Sequence, residues 1–206
     1  MRKAIYGALL AAVPFSACGC VDGGWTGTLP PSAAVTRTVS DPGWTAARAE
    51  AILRSEDRSF AWVEGNGLVG WDCLKLDRSG EGTYVWSTRL PAGKDAWTTR
   101  WQQARVVAPP ERMSELGNLL AGSGFFALGR EYHSAVADGT VVAVRVRGNG
   151  DAKQVYCNNT FPAPVRRLAD FVKNVTAEDS GYLRDISPAT LEESQRIAGE
   201  VLGASN

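Results

Sequence analysis

One histidine, His133, in 206 residues is the sharpest shortage in this sequence. Protein zinc centres draw on clustered His, Cys and carboxylates. A lone histidine and the lack of any Cys-x-x-Cys pair therefore argue against zinc. The spaced Asp/Asn pattern of a calcium loop is missing too. The chain shows no glycine-rich phosphate loop, nucleotide-binding strand–turn–helix fingerprint or serine nucleophile elbow. No metal and no cofactor is expected. Net charge is also absent, with 22 Lys plus Arg against 22 Asp plus Glu. A neutral chain has no electrostatic footprint for nucleic acid, and no nucleic-acid partner is expected. Four cysteines are too few for a disulfide-dense scaffold.

Long apolar runs are missing as well. The longest, Ala4 to Phe15, follows Arg2 and Lys3 and falls short of the roughly 20 residues that a spanning helix needs. A basic start, a short apolar core and then the small residues Ser16 and Ala17 describe a secretory signal over 1–17. The cysteine directly after them resembles a bacterial lipobox. That resemblance implies lipid on Cys18 as the mature N-terminus, with Cys20 as the alternative acceptor. Phe15 departs from the usual Leu of the motif. Removing the signal lowers the basic count from 22 to 20, against 22 acids. The expected location is the cell envelope: exported and held at a membrane by the N-terminal lipid, the outer membrane if the organism has two.

From Val21 to Gly43 the composition is dominated by Gly, Thr, Ser, Pro and Ala without a sustained period, so 18–43 reads as a lipid-anchored flexible tether. As a coil of roughly twenty residues it spans on the order of 25 Å. A domain is expected over 44–178, with a helical extension over 179–206. Trp44 to Asp57 carries Trp44, Ala47, Ala51 and Ile52 on one side of a helix. Phe60 to Val63 is a short apolar piece. Leu68–Leu76, Thr83–Arg89 and Trp97–Val107 read as strands, separated by Gly- and Pro-rich breaks. Pro109-Pro110 opens a helix with Met113, Leu116, Leu119 and Leu120 as its apolar stripe, and Gly122 and Gly124 end it. Val141–Arg147 alternates with period two, and Gly148-Asn149-Gly150 turns it into Lys153–Asn158. Val165, Leu168, Phe171, Val172 and Val175 mark a second amphipathic helix after Pro162 and Pro164. Thr190-x-x-Glu193 is a capping box for a last helix, with Ser187-Pro188 as a rival start. The expected fold is α+β: one antiparallel sheet of about five strands, with two to four helices packed mainly on one face.

The order of these parts resembles a known family. It runs Leu74-x-Leu76-Asp77, Gly80, Phe125-Phe126-x-Leu128, Tyr132, Asp138-Gly139, the Gly-Asn-Gly hairpin and a Pro-led Leu/Phe/Val helix. It is similar to a family of exported bacterial domains of unknown function that are often carried on lipoproteins. The resemblance spans roughly Leu68 to Val175. It implies no activity, cofactor or site residue.

Candidate chemistry comes down to three sets. Cys73 and Cys157 are the only cysteines of the expected domain, and an oxidising compartment allows them to pair. Their other reading is two packed thiols. Cys157, His133 and Asp138 hold the residue types of a thiol hydrolase, without a family signature around either cysteine. Tyr84, Trp86, Trp97 and Trp101 lie in strands, and an exposed aromatic row binds sugar rings or peptide while a buried one builds core. The acidic pairs Glu56-Asp57, Glu178-Asp179 and Glu192-Glu193 read as solvated carboxylates near helix ends. The function expected is a non-catalytic, membrane-tethered envelope lipoprotein whose domain is structural or binds another envelope protein. A carbohydrate or cell-wall glycan binding module is the first alternative, and an unrecognised hydrolase the second.

Overall fold

A computed structural model describes residues 37–66, 70–93, 96–134 and 139–202. The signal region, both lipidation candidates Cys18 and Cys20, and Asp138 lie outside these residues. In chain order the elements are β1 (Arg37–Val39), α1 (Ala46–Arg54), β2 (Ser59–Asn66), β3 (Gly70–Asp77), β4 (Glu81–Gly93), β5 (Ala96–Val107), α2 (Pro110–Gly122), β6 (Glu131–His133), β7 (Val141–Gly148), β8 (Asp151–Asn158), α3 (Ala163–Thr176), β9 (Leu183–Pro188) and α4 (Leu191–Leu202).

The nine strands form one sheet, ordered β1-β6-β8-β7-β2-β3-β4-β5-β9. Every pairing is antiparallel except β6 with β8, which is parallel over three residues. This corrects the sequence expectation of an antiparallel sheet of about five strands. The extra strands escape pattern reading for physical reasons. β1 and β6 are three residues long and too short to show a period. Ser59–Asn66 pairs along its whole length with β3 and from Ser59 to Gly65 with β7, although only Phe60–Val63 is continuously apolar. β9 holds Ser187-Pro188, so the chain is extended there and the rival helix start fails.

Alternation sorts the strand side chains between two faces. One face carries Phe60, Trp62, Leu74, Leu76, Tyr84, Trp86, Val142, Val144, Val146, Val155 and Cys157, packed under α1, α2 and α3. α3 supplies Val165, Leu168, Phe171, Val172 and Val175 to it. The other face carries Ala61, Val63, Cys73, Val85 and Ala143, covered by Ile197, Ala198 and Val201 of α4. The capping box holds in both directions: Thr190 N–H donates to Glu193 Oε2 at 2.8 Å and Glu193 N–H to Thr190 Oγ1 at 3.2 Å. At the other end Arg145 donates to the Glu200 carbonyl and Gln154 to that of Leu202, satisfying last-turn acceptors. The stretch after residue 178 is thus built into the sheet as β9 and its second layer.

Asn149 and Gly150 have φ of 55° and 71°, the two left-handed residues that a tight hairpin turn requires. The chain leading into α1 is pinned from the same hairpin. Arg48 grips Asp151 with two hydrogen bonds of 2.8 and 2.9 Å and lies over the Trp44 ring. Lys153, on the core face of β8, has no exposed surface. Its ammonium donates to Asp41 Oδ2 at 2.9 Å and to the Leu128 carbonyl at 2.6 Å, and sits 5.3 Å from the Trp44 ring centroid. An amine buried this deeply stays in the fold only because its partners replace water. The segment that sequence assigns to the tether therefore ends inside the fold, as β1 and the Asp41 anchor.

Candidate functional site

The β4–β5 hairpin is the longest feature of the sheet. β4 and β5 pair from Glu81–Val107 out to Gly93–Ala96. β3 accompanies β4 only between Gly82 and Val85. Beyond Trp86 the hairpin leaves its neighbour, and the sheet splits.

Three polar contacts finish the split. The Asp72 carboxylate accepts the Ser87 N–H at 3.0 Å, so the amide that would have paired with β3 is satisfied by a side chain. The Ser194 hydroxyl of α4 donates to the Trp71 carbonyl at 2.7 Å and accepts the Trp71 N–H at 3.0 Å. On the α4 face Trp101 lies on the backbone of Gly70. A Cβ at Gly70 would come within 2.4 Å of that ring, so only glycine fits.

The Asp72 carboxyl is half of a cross-strand pair. It stands opposite Glu64, on the core face of the sheet in phase with Leu74, Leu76, Phe60 and Trp62. Burial pushes Asp72 up to about 7, against the pull of its hydrogen bonds from Ser87. The nearby Tyr84 phenol is raised as well, first by burial and then by the Asp72 charge. Sequence reading passed over this pair. Its signal was available: two acids at the core phase of strands whose other core-phase residues are apolar.

Backbone direction at the hairpin follows from two bonds. Ser87 N–H points away from β5, toward Asp72, and the Trp101 carbonyl points away from β4, accepting the Ala189 N–H at 3.1 Å. Ser87 and Trp101 are register partners and so form a non-hydrogen-bonded pair. Alternation then turns the backbone groups of Trp97 and Thr99 outward and those of Thr98 and Arg100 toward β4. β9 pairs with β5 from Gln102 to Val106. Among the described residues no strand pairs with the outer edge of Ala96–Arg100.

The residues singled out by sequence separate. Tyr84 and Trp86 are 3% and 2% exposed and stack on each other at 4.9 Å under the helices. They are core. Trp97 is 59% exposed on the hairpin, and Trp101, half-buried, packs with the α4 side of the sheet.

Cys73 and Cys157 are free, buried thiols. They belong to opposite faces, on strands three positions apart. Three strand spacings of about 4.8 Å separate their backbones by roughly 14 Å, against at most about 7 Å for a disulfide. The disulfide expectation is therefore corrected. Burial also pushes the Cys157 thiol up to about 12, the reverse of what a thiolate nucleophile needs. His133 bonds Glu131 at 3.1 Å and lies near Tyr156, on the face away from Cys157. It therefore cannot serve Cys157 as a base. Gly65 to Gly70 has G-x-G-x-x-G spacing, but Gly65 lies in β2 and Gly70 opens β3, so no helix N-terminus follows to hold a phosphate. No group of three or more metal-ligating side chains occurs among the described residues.

No protein-family model, curated protein or solved structure matches this chain, so the site is read from its own geometry.

Proposed function

We propose that this chain is a non-catalytic binding domain, tethered to a membrane of the cell envelope by lipid at Cys18, with Cys20 as the alternative acceptor. One observation supports binding above the other readings: a two-stranded ribbon that leaves the sheet beyond Trp86, with an open outer edge and an exposed tryptophan at Trp97. Isolated two-stranded ribbons are marginal in water, and an edge of unpaired backbone groups is a template for another strand. A glycan-stacking row has less support, because Tyr84 and Trp86 belong to the core. The tether rests on the signal-like N-terminus and on the entry of the chain at β1, far across the sheet from the ribbon.

The test is metabolic labelling with a fatty acid, followed by membrane fractionation. The protein is expected to carry label and sediment with membranes, and Cys18→Ser to lose both. Label that persists in Cys18→Ser and disappears in Cys20→Ser moves the acceptor to Cys20. An unlabelled protein found free of membranes defeats the tethered reading.

A further inference from the structure

We propose that the outer edge of β5, at Trp97 and Thr99, takes up an extended segment of another protein in which acidic and apolar residues alternate. The inference rests on the binding-domain reading above and names its partner. The N–H and C=O groups of Trp97 and Thr99 point away from β4, and no described strand meets them. Adding a strand gives those groups partners and turns the ribbon into a three-stranded sheet.

The side chains set the pattern of the incoming strand. Trp97 and Thr99 lie on the face of α4, while Thr98 and Arg100 lie on the opposite face. An incoming strand alternates in the same way. Its residues on the α4 face meet the Trp97 ring, which favours apolar groups. Its residues on the other face lie beside Arg100, which favours carboxylates. The charge around the edge agrees. Among the described residues 87–93 and 96–101 the charged ones are Arg89 and Arg100, a net of +2 in a chain whose net charge is zero. The same excess disfavours a second copy of this edge, because two such ribbons would set like charges side by side. Lipid headgroups fit less well, since they present no row of acceptors and donors at strand spacing.

The probe is a fluorescein-labelled hexapeptide of alternating valine and glutamate, with a valine–lysine hexapeptide as control. Binding is read by fluorescence anisotropy on the full-length protein in detergent. The glutamate peptide is expected to bind saturably and the lysine peptide to bind at least about tenfold more weakly. Thr99→Pro removes one outward N–H at an edge position where proline is tolerated. It is expected to abolish binding while leaving the circular dichroism and melting curve in place. Arg100→Glu is expected to reverse the peptide preference.

Equal binding of the two peptides, no binding of either, or binding indifferent to Thr99→Pro overturns the proposal. So does a concentration-dependent dimer broken by Thr99→Pro, which would assign the edge to a second copy. Binding to phosphatidylglycerol vesicles that Trp97→Ala removes, without peptide binding, would assign it to a membrane. Loss of fatty-acid label with peptide binding intact would defeat the tether alone, so the two readings fail separately.

Discussion

The two ends of the sheet are finished in opposite ways. At one end β1 is short, and the chain that follows it is fastened by a buried ammonium, a carboxylate, a bidentate arginine and a tryptophan ring. At the other end β4 and β5 run past their neighbours, and one carboxyl and one hydroxyl close the split at their root. The first arrangement suits a point through which a tether pulls. The second suits an edge that pairs with something else. Seven strand spacings separate β1 from β5, at most about 34 Å. The open edge therefore lies across the domain from β1, the end at which the proposed tether would join it.

The largest expected effect contrasts two tryptophans of the same hairpin. Trp86→Ala removes a ring from the core and is expected to lower stability by about 3–5 kcal/mol. Trp97→Ala is expected to stay within about 0.5 kcal/mol, because the ring is exposed. Urea unfolding reads both. Equal losses would place Trp97 in the core and end the contrast.

The next effect concerns the root of the hairpin. Below the unfolded carboxyl pKa of about 4, Asp72 is neutral in both states. Above it the unfolded chain releases its proton first. The folded group ionises only near 7, so its contribution to stability falls between these values and is flat above. The slope is at most about 1.4 kcal/mol per pH unit. Asp72→Asn keeps an oxygen for the Ser87 N–H and is expected to remove this decline, as followed by unfolding midpoints from pH 4 to 8. Parallel curves for the two proteins would mean that Asp72 ionises normally in the fold.

The opposite edge gives a somewhat smaller effect. Asp41→Ala leaves the Lys153 ammonium with a carbonyl and a ring but no carboxylate, an expected loss of about 2–3 kcal/mol. Unchanged stability would show that this end is not pinned by the pair. The smallest expected effect is none: a reductant should not shift the melting temperature through Cys73 and Cys157. A reductant-sensitive shift that vanishes in Cys73→Ser would contradict the placement of the two thiols on opposite faces.

The helices were legible in the sequence because their apolar residues recur at three and four. The Asn149-Gly150 turn was legible because that pair supplies two left-handed residues. Sheet size was not, since a three-residue strand such as β6 has no period and its pairing with β8 is fixed by tertiary contacts. Spacing alone could not separate Trp86 from Trp97. Both lie in strands, and only the point at which β3 stops accompanying β4 decides which of them is covered. Asp72 and Glu64 were readable as acids in the core phase of their strands, but their pairing across β2 and β3 needed the register.

Amide hydrogen exchange across β5 tests the central claim most directly. If the outer edge is open, the Trp97 and Thr99 amides exchange quickly in the isolated protein, while those of Thr98 and Arg100, bonded to β4, exchange more slowly. Adding the valine–glutamate peptide should then slow Trp97 and Thr99. Protection of Trp97 and Thr99 without any peptide would mean the edge is already covered, and would contradict the account.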